Sequence, residues 1–379
     1  MPQSAQFLMP QSAQSRSARS APAQSQRREN DIAIVGFTQT DAHVRYDGPE
    51  VVLIMECVNA LLAGAGIERN DVDFTIAGSC DYLSGMPFAF VANVDGMGAW
   101  PPVYESHVEM DGAWALFEAW LRLQMGDIDV AMVVGSGKSS PCNAREVFHL
   151  QADPYVVAPL GLDPDAMAGI AARSLIESRK ATETEIAEVV ARSYRAAASN
   201  PHAQIRSAAT VEELLAAPYD MAPLRAHDVS PKADGAAALL IARRDRAREL
   251  TDSPVWITGL DHRIESHHAG LRDLTDSAST RTAAAGSGVA DGAVDVAELH
   301  VTHAHEEIIL RNALNLNGST AVNPSGGPLA GDPVMATGLV RVIEVAQRIA
   351  AGEAGRGVAH ASSGAALQQN LLCVLQGGA

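Results

Sequence analysis

"VNPSGGPLAGDPVMATG" (residues 322–338) packs a glycine turn and a helix start into one short stretch. Gly326, Gly327 and Gly331 let the backbone turn tightly beside a ligand, and Pro333 suits a first helical position, where its missing N–H costs nothing. Apolar residues at helical spacing continue through "PVMATGLVRVIEVAQRIAAG" (333–352), with Gly352 as the cap.

Buried strands flank this unit. "VWITGLDHRIE" (255–265) and "VDVAELH" (294–300) precede it, with a helix at "EEIILRNALNL" (306–316); "RGVAHAS" (356–362) and "NLLCVLQG" (370–377) follow it. The same order occurs earlier. "DIAIVGF" (31–37), a helix over 50–64, "DVDFTIAG" (71–78), the helix "DGAWALFEAWLRLQMG" (111–126) capped by Gly126, "DVAMVVGSG" (129–137) and "KADGAAALLIARRD" (232–245) form a first half. Alternating strands and helices imply a parallel-rich α/β sheet. Residues 30–250 and 251–379 read as two pseudo-repeated halves. Residues from about 138 to 225 form a helical insertion in the first half, and Thr182 with Glu185 makes a capping box in it. Insertions of this size often serve as lids. Segment 284–293, rich in Gly, Ser, Ala and Asp, reads as a surface linker, and "RIESHH" (263–268) as a polar turn without chemistry.

Residues 1–29 repeat "MPQSAQ" at 1–6 and 9–14 and are too polar to fold or to act as a secretory signal, so a disordered tail of no assigned function is expected. The whole chain has 379 residues, 47% of them hydrophobic, which is enough for one large core or two fused ones. Its net charge of −17 and pI near 5.1 repel phosphate backbones and anionic lipid, arguing against nucleic-acid or membrane partners. No apolar run reaches the ~18–20 residues that span a bilayer. Cys57, Cys80, Cys142 and Cys373 lack metal or redox spacing and read as reduced thiols of a cytoplasmic protein. Cys80, beside Asp81 and Tyr82 after a strand, is the one placed near a site.

The 322–338 stretch resembles the thiolase superfamily signature, in which the glycine turn leads to Gly-His-Pro and a helix opening at Ala-Thr-Gly. "AELH" (297–300) with "NALNL" (312–316) looks like the His-Asp-Cys-Phe segment of sterol-carrier-protein-x-type thiolases, with His300 on the family histidine. "ASSGAALQQN" (361–370) and "DGAAALLIA" (234–242) match two further family segments, so the resemblance covers about residues 31–379. It implies a thiolase-like fold in layers α-β-α-β-α. It also marks three departures: Glu109, three residues before Gly112, holds the place of the nucleophilic cysteine, Asp332 that of the base histidine, and Ser362 that of the second cysteine. Thiolase chemistry needs a thiolate and a base to activate it, so an acyl-enzyme at the family position is not expected.

Retro-aldol cleavage of a 3-hydroxyacyl thioester needs a base and hydrogen-bond donors but no nucleophile. "ESHVEMDGAWAL" (105–116), "KSS" (138–140) and "DPYVVAPL" (153–160) look similar to an actinobacterial lipid-transfer-protein subgroup linked to cleavage of C-24-branched sterol side chains. Steroid aldolases of that branch use tyrosines, whereas the position after the glycine turn is Pro333 here. Four residues are therefore expected to carry catalysis. His300 would hold the thioester oxygen, Glu109 or Asp111 would be the base, and Asp332 sits at the family base position. His303, His305, Ser362, Gly326, Gly327 and Tyr82 are expected to bind substrate. The histidines of "HVTHAHEE" (300–307) lack a metal-protease spacing, and no metal is expected.

The resemblance further implies no bound cofactor, with coenzyme A entering as part of the substrate. The expected assembly is a homodimer or a heteromer with a thiolase-like paralogue or a small zinc-ribbon/OB-fold protein. Two alternatives stand beside the lyase: a non-catalytic subunit of such a heteromer, and an acyltransferase using Cys80.

Overall fold

A computed structural model describes residues 31–98, 104–316 and 318–378, so the 1–29 segment lies outside the described residues. The strands are β1 (Ile32–Gln39), β2 (Phe74–Gly78), β3 (Tyr104–Val108), β4 (Val130–Lys138), the hairpin of β5 (Tyr219–Met221) and β6 (Leu224–Arg225), β7 (Lys232–Arg243), β8 (Val255–Ile264), β9 (Val296–Glu298), β10 (Ala321–Val322), β11 (Asp332–Pro333), β12 (Arg356–Ser363) and β13 (Gln369–Gly377). The main sheet runs β10-β9-β12-β13-β8-β1-β7-β4-β2-β3, with β11 on β7. Reading outward from the β1/β8 junction, each side shows its first strand, then its last, its next-to-last, its second and its third. The repeat seen along the chain is thus a repeat of topology.

The sheet is mixed rather than parallel-rich. β1–β7, β1–β8, β4–β7, β8–β13 and β12–β13 are antiparallel, while β2–β3, β2–β4, β9–β10 and β9–β12 are parallel. The loop between β12 and β13, residues 364–368, is too short for a helical crossover, so the last strand must return antiparallel.

Two helices, Gly112–Met125 and Thr337–Ala350, lie between the two sides of the sheet. Alternation along each strand feeds both faces: Ile32, Ile34, Ala131, Val133, Leu239 and Ile241 pack against these helices, while Ala33, Val130, Met132 and Leu240 pack outward on the Glu50–Ala65 helix. Each fully buried Leu or Ile in such a core contributes about 1.5–3 kcal/mol. On the other side, Ala297, Val358, Leu372 and Val374 meet the Glu183–Ala197 and Ala304–Ala313 helices. The Thr182–Glu185 capping box forms as read.

Several boundaries differ from the sequence reading. Pro333 does not start the long helix. Residues 332–333 extend along β7, the helix opens at Thr337, and its first N–H groups are capped from a distance by Asp111. Residues 284–287 are not linker but the last turn of a helix, Ala278–Ser287, whose small side chains let it lie against β8 and β13, burying Ala283, Ala284 and Ser287. The helix expected over 306–316 spans Ala304–Ala313, and the strand expected from 71 begins at Phe74. Among the described residues no helix is long and apolar enough to cross a membrane.

Candidate active site

One cavity of about 1010 Å³ opens at the ends of the central helices, and Glu109, Asp111, His300, His303, Asp332 and Ser362 all line it. Segments as far apart in sequence as those of Glu109 and Ser362 converge because β3, β9, β11 and β12 end at the same cavity. Residues 139–167 of the insertion supply much of the rest of its lining.

The three carboxylates on this wall differ in what they have left to offer. Asp111 caps the Gly112–Met125 helix through Ala113 N–H (2.8 Å) and reaches Gly338 N–H (2.9 Å) and Leu339 N–H (3.2 Å) at the start of the other central helix. It joins two helix N-termini, a favourable place for negative charge. Only glycine fits at 338, since an added Cβ would lie 2.5 Å from Asp111 Oδ1. Burial, helped by the charge of Asp332, pushes the Asp111 carboxyl up to about 7 against the pull of the three main-chain donors. Asp332 is saturated. Thr337 Oγ1 donates to Oδ1 (2.6 Å), while Ser230 Oγ (2.6 Å) and Lys232 Nζ (2.7 Å) donate to Oδ2. Despite burial, the neighbouring Lys232 and His300 hold this carboxyl far below the usual range, so it stays ionised. Glu109 differs from both: Oε1 accepts Asp81 N–H (2.6 Å), and Oε2 has no protein donor among the described residues. It is the exposed carboxylate of the three.

His300 is buried and pushed down to about 4 by desolvation, so its imidazole is neutral. Nδ1 accepts Ser362 N–H (3.3 Å), which places the ring proton on Nε2 and makes that nitrogen a donor. Ser362 Oγ donates to the His300 carbonyl (3.3 Å), so this serine brackets the histidine on both sides. Beneath it, His300 N–H donates to His360 Nδ1 (3.3 Å), and His360 Nε2 meets Asn370 Oδ1 (2.8 Å). Neither His360 nor Asn370 was singled out from the sequence.

His303 is fixed rather than free. Nε2 meets Asp165 Oδ1 (3.0 Å), Nδ1 meets Thr302 Oγ1 (3.1 Å), and Glu306 Oε1 lies 3.5 Å from Nδ1. Although burial disfavours its charge, Asp165 and Glu306 raise its pKa to about 9, so an imidazolium ties the insertion to the second half. Because the folded value lies above the ordinary 6.5, this contribution to stability is complete below pH 6.5 and is lost as pH rises through 9. Thermal melts should therefore show the wild type losing stability over that window, and His303→Gln should flatten this part of the profile; an unchanged profile would mean the pair carries no charge.

Four expected binding residues do not reach the cavity wall. Tyr82 is exposed outside it, and His305 is fully buried behind it, with neither ring nitrogen hydrogen-bonded among the described residues. Gly326 and Gly327, at φ +97° and +63°, form the turn but face Ala197 and Asn323. The structure instead adds Ser230, Lys232, Arg145, Asp165, Arg272 and His267, the last from the stretch read as a turn without chemistry. Arg145 is paired with Asp163 and lies 3.9 Å from Asp165. Cys80 and Cys142 line the cavity too, but burial raises both thiols, the opposite of an activated nucleophile. Among the described residues no group of three or more His, Cys, Asp or Glu is arranged to hold a metal ion.

No protein-family model matches the chain. It is 26% identical over 360 residues to the acetyl-CoA acetyltransferase of Methanothermobacter thermautotrophicus, a match covering 86% of this chain and 92% of that protein. Among solved structures, the Ltp2–ChsH2(DUF35) aldolase aligns with a TM-score of 0.77 at 18% identity over 92% of this chain and 98% of that one. Human mitochondrial 3-ketoacyl-CoA thiolase aligns with a TM-score of 0.76 at 17% identity over 92% and 99%. The chain has a thiolase-like α/β fold.

Proposed function

We propose that this protein is an acyl-CoA carbon–carbon lyase that cleaves a bulky 3-hydroxyacyl-CoA by retro-aldol reaction, with a C-24-branched steroid side chain as the leading substrate. One observation carries the reading: a single cavity pairs an open carboxylate, Glu109, with a neutral imidazole donor, His300, where the two thiols present are not activated. Its volume, about 1010 Å³, suits a large ligand. The acetyl-CoA acetyltransferase relative supports a coenzyme A thioester and the aldolase neighbour an aldol-type reaction; the steroid rests on the three stretches quoted above.

In this mechanism Glu109 takes the proton of the C3 hydroxyl. The C3–O bond becomes a carbonyl as the C2–C3 bond breaks, and the electron pair passes through C2 to the thioester oxygen. His300 Nε2–H holds that oxygen as it becomes an enolate. Protonation at C2 then yields the shortened acyl-CoA, so no cofactor beyond the coenzyme A of the substrate is required.

A second reading has its own support: the aldolase neighbour is a Ltp2–ChsH2 assembly, so this chain is also proposed to act in a heteromer with a thiolase-like paralogue or a small zinc-ribbon/OB-fold protein in the cytoplasm. One experiment separates the readings. The chain is incubated, alone and co-expressed with such partners, with a 3-hydroxy, C-24-branched steroid acyl-CoA, and shortened acyl-CoA is followed by mass spectrometry. Cleavage that His300→Ala lowers by about 10²–10³-fold supports the lyase. Cleavage indifferent to His300→Ala makes the chain a scaffold, and no cleavage in any combination refutes the substrate.

A further inference from the structure

Lys232 stands at the start of β7, on the cavity wall shared with His300 and Glu109. Its ammonium donates to Asp332 Oδ2 (2.7 Å) and to Ser230 Oγ (3.0 Å). An ammonium has three protons, and the third has no protein acceptor among the described residues. Its side chain is 31% exposed, whereas that of Asp332 is 3% exposed. The carboxylate is thus a buried mount and the ammonium the face it presents. Asp165, another acid near Lys232, is already engaged by His303 and Arg145. Asp332, Lys232 and His300 line the same cavity, so the carboxylate that holds the ammonium sits beside the imidazole.

We infer that Lys232 Nζ and His300 Nε2–H together form a two-donor anion site that binds the thioester oxygen of an acyl-CoA as it acquires enolate charge. Asp332 and Ser230 act as positioning residues that aim the ammonium. This rests on the acyl-CoA reading above. Asp332, at the place of the expected base, therefore acts through a cation instead of taking a proton. Two donors fixed before reaction need no reorganisation as charge develops, and a full positive charge in a partly desolvated wall outweighs a neutral donor.

The test uses acetoacetyl-CoA, whose C2 proton ionises to an enolate visible in the near ultraviolet. Bound to the wild type, its enolate should form at lower pH than in free solution. Lys232→Met should raise that apparent pKa by about one to two units, a 10- to 100-fold loss of enolate, and Lys232→Arg should restore part of it. Because Lys232→Met strands a buried carboxylate, Lys232→Met with Asp332→Asn serves as the folding-safe variant, keeping uncharged partners for Ser230 and Thr337. If the lysine is a donor, the double variant also loses the enolate shift. A double variant that keeps the wild-type shift would reduce Lys232 to a counter-ion and overturn the inference. Should His300→Ala lose the shift while Lys232→Met keeps it, the acyl-CoA reading stands without Lys232. Failure of the wild type to bind acetoacetyl-CoA in equilibrium ultrafiltration would remove both.

Discussion

Glu109→Gln should lower turnover of the 3-hydroxyacyl-CoA by about 10²–10⁴-fold, the usual worth of a general base, with little change in melting temperature or in binding of a non-cleavable acyl-CoA. The substitution is selective because glutamine keeps the oxygen that accepts Asp81 N–H, the one hydrogen bond this side chain makes among the described residues. What disappears is the ability to accept a proton at the open oxygen. Asp111→Asn gives the contrast. An amide nitrogen cannot accept the N–H groups of Ala113, Gly338 and Leu339 that both carboxylate oxygens now share, so stability falls first and activity only with it. The pair of measurements assigns the base: if Glu109→Gln retains full turnover and Asp111→Asn loses it without unfolding, proton transfer belongs to Asp111, whose carboxyl burial has already pushed up to about 7.

That contrast could not be drawn from the sequence, although the places of both acids could. The resemblance of the stretches around Gly112, 322–338 and 361–370 to thiolase segments singled out Glu109, Asp332 and Ser362, and the fold brings all three with His300 to one cavity. They converge because each stretch sits at a strand end or a helix start, and buried apolar periodicity specifies those elements. Which oxygen is occupied is decided by side chains from elsewhere in the chain. Lys232 meets Asp332 from 100 positions away, and Asp165 in the insertion ion-pairs His303, a cavity-lining residue. Neither partner announces itself locally, since a lysine before a glycine turn and an aspartate in the first turn of a helix have ordinary structural uses. Antiparallel closing strands escaped for a related reason: alternation of strand and helix reports crossovers, and the β12–β13 connection is a short loop.

Arg341→Met should be the most destabilising single change away from the cavity, at about 3–5 kcal/mol in chemical denaturation. Arg341 Nη1 donates to Glu298 Oε2 (2.6 Å) and to Ser325 Oγ (2.8 Å), with side chains 4% and 0% exposed for the ion pair. Removing the guanidinium leaves a carboxylate in the core whose remaining cation, Arg348, is 3.8 Å from Oε1 and already engaged with Glu344. Ser325 N–H (2.9 Å) and Ser325 Oγ (2.7 Å) also bind Glu298, and Ser325 Oγ accepts Gly327 N–H (3.1 Å), so the pair holds the glycine turn that precedes Asp332. Gln39 of β1 and Asn200 of the insertion reach Glu344 at 2.9 and 3.3 Å, tying the first half to the same network. The loss should therefore appear in one cooperative transition rather than as local fraying. Adding Glu298→Gln to Arg341→Met removes the stranded charge and should recover a large part of the deficit, because the penalty lies in the unpaired ion more than in the lost attraction. If the double variant is no more stable than Arg341→Met alone, the guanidinium acts through packing against the glycine turn, and the buried charge pair is not what holds that turn.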